Sequence, residues 1–113
     1  MSNPNKAKGD QFERDTVGVF QALGMEYVER AYGAGRHDDK GDIDGLPRWI
    51  IDCKNHAQLK LSEWLDSVHA KKRHRDDYGA VIVKRRLRGP EEAYAVLRLD
   101  DFVRLVSEAE NAE

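Results

Sequence analysis

A single cysteine, Cys53, in a chain of 113 residues leaves no partner for an internal disulfide and no basis for a multi-cysteine zinc cage. Long apolar runs are missing too. Apolar runs such as Ala80 to Val83 and Trp49 to Ile51 fall far short of the ~20 residues that span a bilayer. The polar stretch Met1 to Asp10 has no secretory apolar core, so a cytoplasmic protein without a membrane partner is expected. Internal repeats and low-complexity tracts are absent, and the length is that of one hydrophobic core. One domain over residues 1–113 is expected, with residues 1–8 and 110–113 as disordered tails.

Net basic charge is the other thing lacking. Nineteen basic residues against 21 acidic ones give −2, whereas nucleic-acid binders usually carry a basic excess. Distribution matters more than the sum. Residues 100–113 are strongly acidic, with Arg104 their one basic residue. Residues 71–88 hold Lys71, Lys72, Arg73, Arg75, Lys84, Arg85, Arg86 and Arg88 against Asp76 and Asp77, a local charge of +6. What is plentiful is a globular mixture, 40% hydrophobic and 35% charged, which argues against global disorder.

Periodicity then divides the chain. Asp10 is placed to cap a helix through Phe12, Thr16, Val19, Phe20 and Leu23, which Gly24 ends. Glu26 to Tyr32 alternates as a strand, and Gly33-Ala34-Gly35 opens a polar loop to Lys40. Gly41 to Asp44 and Trp49 to Lys54 read as a hairpin around Leu46-Pro47-Arg48. Leu61, Trp64, Leu65 and Val68 mark a helix from about Ser62, its cap, to Arg75. Strands at Ala80 to Lys84 and Ala93 to Leu99 flank the Gly89-Pro90 turn, and Phe102, Leu105, Val106 and Ala109 mark a closing helix. The expected order is α-β-β-β-α-β-β-α.

The hairpin carries the chemistry. Along Trp49 to Lys54 side chains alternate, so Trp49, Ile51 and Cys53 share one face while Ile50, Asp52 and Lys54 share the other. A three-residue turn would set Asp42 opposite Asp52, and opposed carboxylates repel by roughly 0.2–1 kcal/mol. A divalent cation would relieve that repulsion. Mg²⁺ takes oxygen ligands and often only one or two carboxylates plus substrate phosphate, and a neighbouring lysine can stabilise charge developing on a phosphodiester. Asp44, two residues on along the same strand face, is an alternative to Asp42.

Glu13 on the first helix, Gly41-Asp42-Ile43, and Ile51-Asp52-Cys53-Lys54 together resemble the PD-(D/E)xK nuclease superfamily, over nearly the whole chain. The element order, the short length and the loop Gly33-Ala34-Gly35-Arg36 are most similar to archaeal-type and phage-encoded Holliday junction resolvases. Two departures stand out: Gly41 occupies the place of the motif's proline, and Asp52 stands where the resolvases usually have the longer glutamate. The resemblance implies a three-layer α/β restriction-endonuclease-like fold, a mixed central sheet flanked by helices. It implies Asp42, Asp52 and Glu13 as Mg²⁺ ligands, with Mn²⁺ as a substitute, and Lys54 as the catalytic lysine. No small-molecule cofactor is expected. The implied activity is cleavage of branched DNA by a homodimer in the cytoplasm, the host's if the protein is phage-encoded. DNA contacts are expected from Arg36, Lys71, Lys72, Arg75, Lys84, Arg85, Arg86 and Arg88.

Plainer readings stay open at this level. Asp38-Asp39-Lys40 is a second [D/E]-x-K string lying in a loop, and Asp10-x-x-Glu13 has capping-box spacing. The basic residues after the second helix also suit a helix C-terminus. Cys53-x-x-His56 has no second ligand pair, and Cys53 falls on the face away from Asp52, so it reads as core. The functional alternatives are a duplex nuclease of the same superfamily and a non-catalytic DNA-binding module.

Overall fold

The computed structural model of the protein describes residues 3–31 and 41–112; Arg36 and the rest of the loop to Lys40 lie outside them. The first helix, α1 (Pro4–Ala22), starts six residues before Asp10. Asn3 is its cap, accepting the Asn5 and Lys6 N–H groups, and Pro4 at the first helical position needs no hydrogen-bond partner for its nitrogen. Residues 4–8, expected to fray, are therefore helical. Asp10 faces Lys6 and Arg30 as an ion-pair partner rather than a cap, which removes the capping-box reading of Glu13.

Two short strands, β1 (Glu29–Arg30) and β2 (Ile43–Asp44), pair antiparallel with Arg30 opposite Ile43. The strand expected over residues 26–32 is thus reduced to two residues, with Tyr32 outside the described residues. The expected hairpin is also replaced. β3 (Trp49–Lys54) forms its ladder with β4 (Tyr78–Val83), in parallel, and β5 (Tyr94–Val96) adds antiparallel to β4. Among the described residues a single β-bridge, Gly41 with Ile51, joins the β2 segment to β3. Gly45, at φ +102°, turns the chain away before a ladder can form, and the Trp49 N–H closes the turn on the Leu46 carbonyl.

The parallel β3–β4 pair needs a crossover, which α2 (Leu61–Ala70) supplies. It ends five residues earlier than periodicity suggests. The Asp77 carboxylate accepts the Arg73 and His74 N–H groups and holds 71–77 as a turn. Ser62 is not the cap; Lys60 occupies that position without a side-chain bond. Strand alternation sorts the core as the sequence implies. Ile51, Cys53 and Ala80 pack with Phe12 and Val17 of α1, while Ile50, Val81 and Val83 pack with Trp64 and Val68 of α2. One helix therefore covers each face of a mixed sheet.

After a single 3-10 turn at Pro90–Glu92 and β5, the chain closes with α3 (Leu99–Glu110). No helix among the described residues is long and apolar enough to cross a membrane.

Candidate active site

Asp52 lies in the middle of β3 and is 4% exposed, because α2 covers its face of the sheet. One carboxylate oxygen, Oδ2, accepts a hydrogen bond from Lys71 Nζ at 2.9 Å. The other, Oδ1, is buried and has no hydrogen-bond partner among the described residues. An unsatisfied carboxylate oxygen in a covered site costs free energy, so the position is poised for a positive or donating group.

Gly41 passes directly over that oxygen. Its φ is +85°, and a Cβ there would sit 3.0 Å from Asp52 Oδ1 and 2.7 Å from the Ile51 carbonyl oxygen. Proline, with φ fixed near −65°, has no access to this conformation, which accounts for glycine at the place of the motif's proline. Gly41→Ala is expected to lower stability by about 1–3 kcal/mol through the left-handed backbone alone, with further loss from the close approach, measurable by urea unfolding. An unchanged midpoint would show that the loop moves freely off β3.

The glycine brings Asp42 to the strand. Its N–H donates to the Ile51 carbonyl at 2.8 Å, and its Oδ2 accepts the Cys53 N–H at 2.8 Å. Asp42 and Asp52 are thus brought together by a side-chain clasp rather than by hairpin register. Burial pushes the Asp42 carboxyl up to about 6; the Cys53 N–H opposes this, while the negative charges of Asp52 and Glu13 add to it. Asp44, the alternative, lines a different cleft of about 320 Å³ with Arg73 and Asp77.

Glu13 approaches from α1, near enough to Asp42 to raise its pKa, but Arg30 holds its Oε1 at 3.2 Å. Among the described residues, no three carboxylate, imidazole or thiolate groups converge as a metal cluster. The Asp42–Asp52 pair is the part of the expected ligand set that the fold brings together. Lys54 shares the α2 face with Asp52, yet its Nζ lies 5.8 Å from the Trp64 ring centroid and makes no ion pair with either aspartate. The lysine at Asp52 is Lys71, whose place there the sequence reading missed because it extended α2 to Arg75.

Cys53 is core, beside Thr16, and burial pushes its thiol up to about 12, so neither a metal-ligand nor a nucleophilic role fits it. His56 is tilted against Trp64 with ring centroids 5.4 Å apart.

The basic residues separate into two groups. Lys71 is paired with Asp52, and Lys72 lies 3.8 Å from the buried Asp101, so both are partly withdrawn from the open face on which DNA contacts were expected. Arg75 and Arg86 are exposed without an ion pair among the described residues. Lys84 Nζ caps the Arg85 and Arg88 carbonyls, Arg85 stacks over Tyr94 at 4.7 Å, and Arg88 pairs with Glu92. With His56 and Tyr94, Lys84 to Arg86 line a cleft of about 390 Å³ beyond the C-terminal ends of β3 and β4. Lys54 is tied to that end, since its carbonyl accepts the Lys84 N–H.

No protein-family model matches this chain, and neither does any curated protein or solved structure.

Proposed function

We propose that the protein is a divalent-cation-dependent DNA endonuclease with a restriction-endonuclease-like fold, acting on branched DNA as a Holliday junction resolvase. The observation that carries the reading is the buried, unpartnered Asp52 Oδ1 under Gly41, beside an Asp42 carboxyl whose pKa is raised to about 6. A buried acid and a half-buried one held together at the cost of repulsion fit a site for Mg²⁺ or Mn²⁺, which needs no third protein ligand when phosphate oxygens and waters complete its shell. When bound there, such an ion would supply Lewis-acid activation of a phosphodiester and of a water.

The chain's own groups would do the rest. Asp42 and Asp52 hold the charge, with Arg30 orienting Glu13 at the rim. Lys54 stands at the sheet end nearest the basic cleft, where an ammonium can stabilise negative charge developing on phosphate. Arg86, Arg75 and the Arg85–Tyr94 stack provide cationic and aromatic surface for a nucleic-acid backbone. A homodimer would supply two sites related by the two-fold symmetry that paired nicks across a junction require.

The test is incubation of the protein with labelled four-way junction, duplex and single strand, with Mg²⁺ or with EDTA. Paired nicks in the junction alone support a resolvase. Equal cleavage of all three indicates a general nuclease, and binding without cleavage under any metal indicates a DNA-binding module.

DNA affinity should respond to the basic residues that line this cleft. Neutralising Arg85 and Arg86 together is expected to weaken junction and duplex binding alike and to flatten the log–log salt dependence by about 1.8, near 0.9 per lost phosphate contact. Fluorescence anisotropy across a salt series reads both. An unchanged slope would remove this segment from the DNA path.

A further inference from the structure

An exposed leucine alone needs no explanation, but a leucine in left-handed backbone does. Leu87 is 90% exposed at φ +60°, and among the described residues no other non-glycine has a positive φ. The Arg88 N–H donates to the Arg85 carbonyl at 3.3 Å, which closes a turn over Arg85-Arg86-Leu87-Arg88. Leu87 takes the third place of that turn, where a positive φ calls for glycine or asparagine. The surroundings hold the conformation. Lys84 Nζ donates to the Arg85 and Arg88 carbonyls at 3.1 and 3.4 Å, and Arg88 pairs with Glu92 at 3.2 Å. The result is one apolar side chain fixed at the tip of a turn among three arginines. A residue that opposes its backbone and gains no burial in return marks a functional position.

We propose that Leu87 is a wedge that enters an unstacked base step of DNA, so that this turn selects branch points over continuous duplex. The inference rests on the nuclease reading and adds to it the residue that chooses the substrate. Arginines bring a phosphate backbone to the turn without discriminating between DNA forms, whereas an apolar side chain between bases must offset the free energy of unstacking them. That cost is lowest where stacking is already interrupted, as at a branch. The position suits such a role. The Lys84 N–H is bonded to the carbonyl of Lys54 at 3.0 Å, two residues along β3 from Asp52, so the turn and the candidate site share an anchor. Arg85 and Arg86 of the turn line the cleft of about 390 Å³ together with His56, Leu59 and Tyr94, which offer aromatic and apolar surface to a displaced base. A lipid surface is the other chemistry an exposed leucine among arginines suits, but membrane anchoring buries a whole apolar face, and this turn presents a single apolar side chain.

Fluorescence of 2-aminopurine, placed at the branch point of a four-way junction or inside a duplex, reads unstacking directly, and EDTA keeps cleavage out of the measurement. The full-length wild type is expected to brighten the junction probe and leave the duplex probe dark. Leu87→Gly, which suits the positive φ and keeps the circular dichroism spectrum unchanged, should lose the brightening. It should also bind the junction at least ~10-fold more weakly by anisotropy, with duplex affinity unchanged. Leu87→Met, which keeps an apolar side chain, should retain both properties. Brightening and junction preference that persist in Leu87→Gly would overturn this inference and leave the nuclease reading standing, whereas a wild type that binds none of the DNAs would overturn both. Binding to phosphatidylglycerol vesicles that is lost in Leu87→Gly while junction affinity holds would also overturn it, assigning the leucine to a membrane.

Discussion

Replacing Asp42 with Asn is expected to raise the stability of the metal-free protein by about 3 kcal/mol at pH 7 and to add little below pH 4. The sign follows from the raised carboxyl, about 6 in the folded state against 3.8 ordinarily. Between those values the folded state binds more protons than the unfolded one. The advantage of the protonated form is complete below pH 3.8 and is lost as pH rises through 6. At neutral pH the wild type therefore carries the cost of an ionised Asp42 facing Asp52 and Glu13. Asparagine removes that charge and can still accept the Cys53 N–H through its side-chain oxygen. Urea unfolding of both proteins from pH 4 to 7 should give a stability difference that opens across this range; parallel profiles would mean that Asp42 is not strained. Mg²⁺ added at pH 7 should raise the unfolding temperature of the wild type more than that of Asp42→Asn, since ligand binding to the folded state stabilises it by mass action.

The second large effect concerns which lysine serves the chemistry. Lys54→Ala is expected to lower the cleavage rate at saturating DNA about 100- to 1,000-fold, the cost of removing one charge-stabilising donor, with little change in stability. Lys71→Ala is expected to retain cleavage but to destabilise the fold by about 1–3 kcal/mol, because it strips the Lys71 ammonium from a buried carboxylate. The opposite pattern would transfer the catalytic role to Lys71. Asp52→Asn should abolish cleavage and also cost stability, since it removes the carboxylate charge that Lys71 Nζ meets at 2.9 Å. From sequence alone the expectation for Asp52→Asn is a small gain in stability through relief of carboxylate repulsion. The 2.9 Å ion pair reverses that sign, and the relief belongs to Asp42 instead. A double variant, Asp52→Asn with Lys71→Met, should recover most of the lost stability, because a buried pair replaced by neutral groups leaves no orphaned charge.

Local periodicity determined much of this protein. The alternation of Trp49 to Lys54 assigned Ile51 and Cys53 to one helix and Ile50 to the other, because a strand buried on both faces carries its sorting in its own two-residue repeat. The stripes of α2 and α3 were legible for the same reason, whereas the proximity of Asp42 and Asp52 was expected from a hairpin register that the fold replaces with the Gly41–Ile51 bridge and the Asp42–Cys53 hydrogen bond. Tertiary structure alone decided what depends on groups far apart in sequence. The start of α1 was misplaced because Asp10 has a cap's chemistry, whereas Asn3 and Pro4 offer the earlier pair, and Arg30 then claims both Asp10 and Glu13 across the α1–β1 contact. Lys71 meets Asp52 only because the α2 crossover returns the chain over β3, and the end of α2 is held by Asp77 from the next strand's approach. Which face of α3 looks outward was likewise undecidable from its pattern, since an amphipathic helix offers two arcs and a buried Asp101 bound to Gly79 on β4 selects between them. Pairing energies between distant residues leave no trace in a local repeat, so the elements and their faces were readable while the charges that lock them together were not.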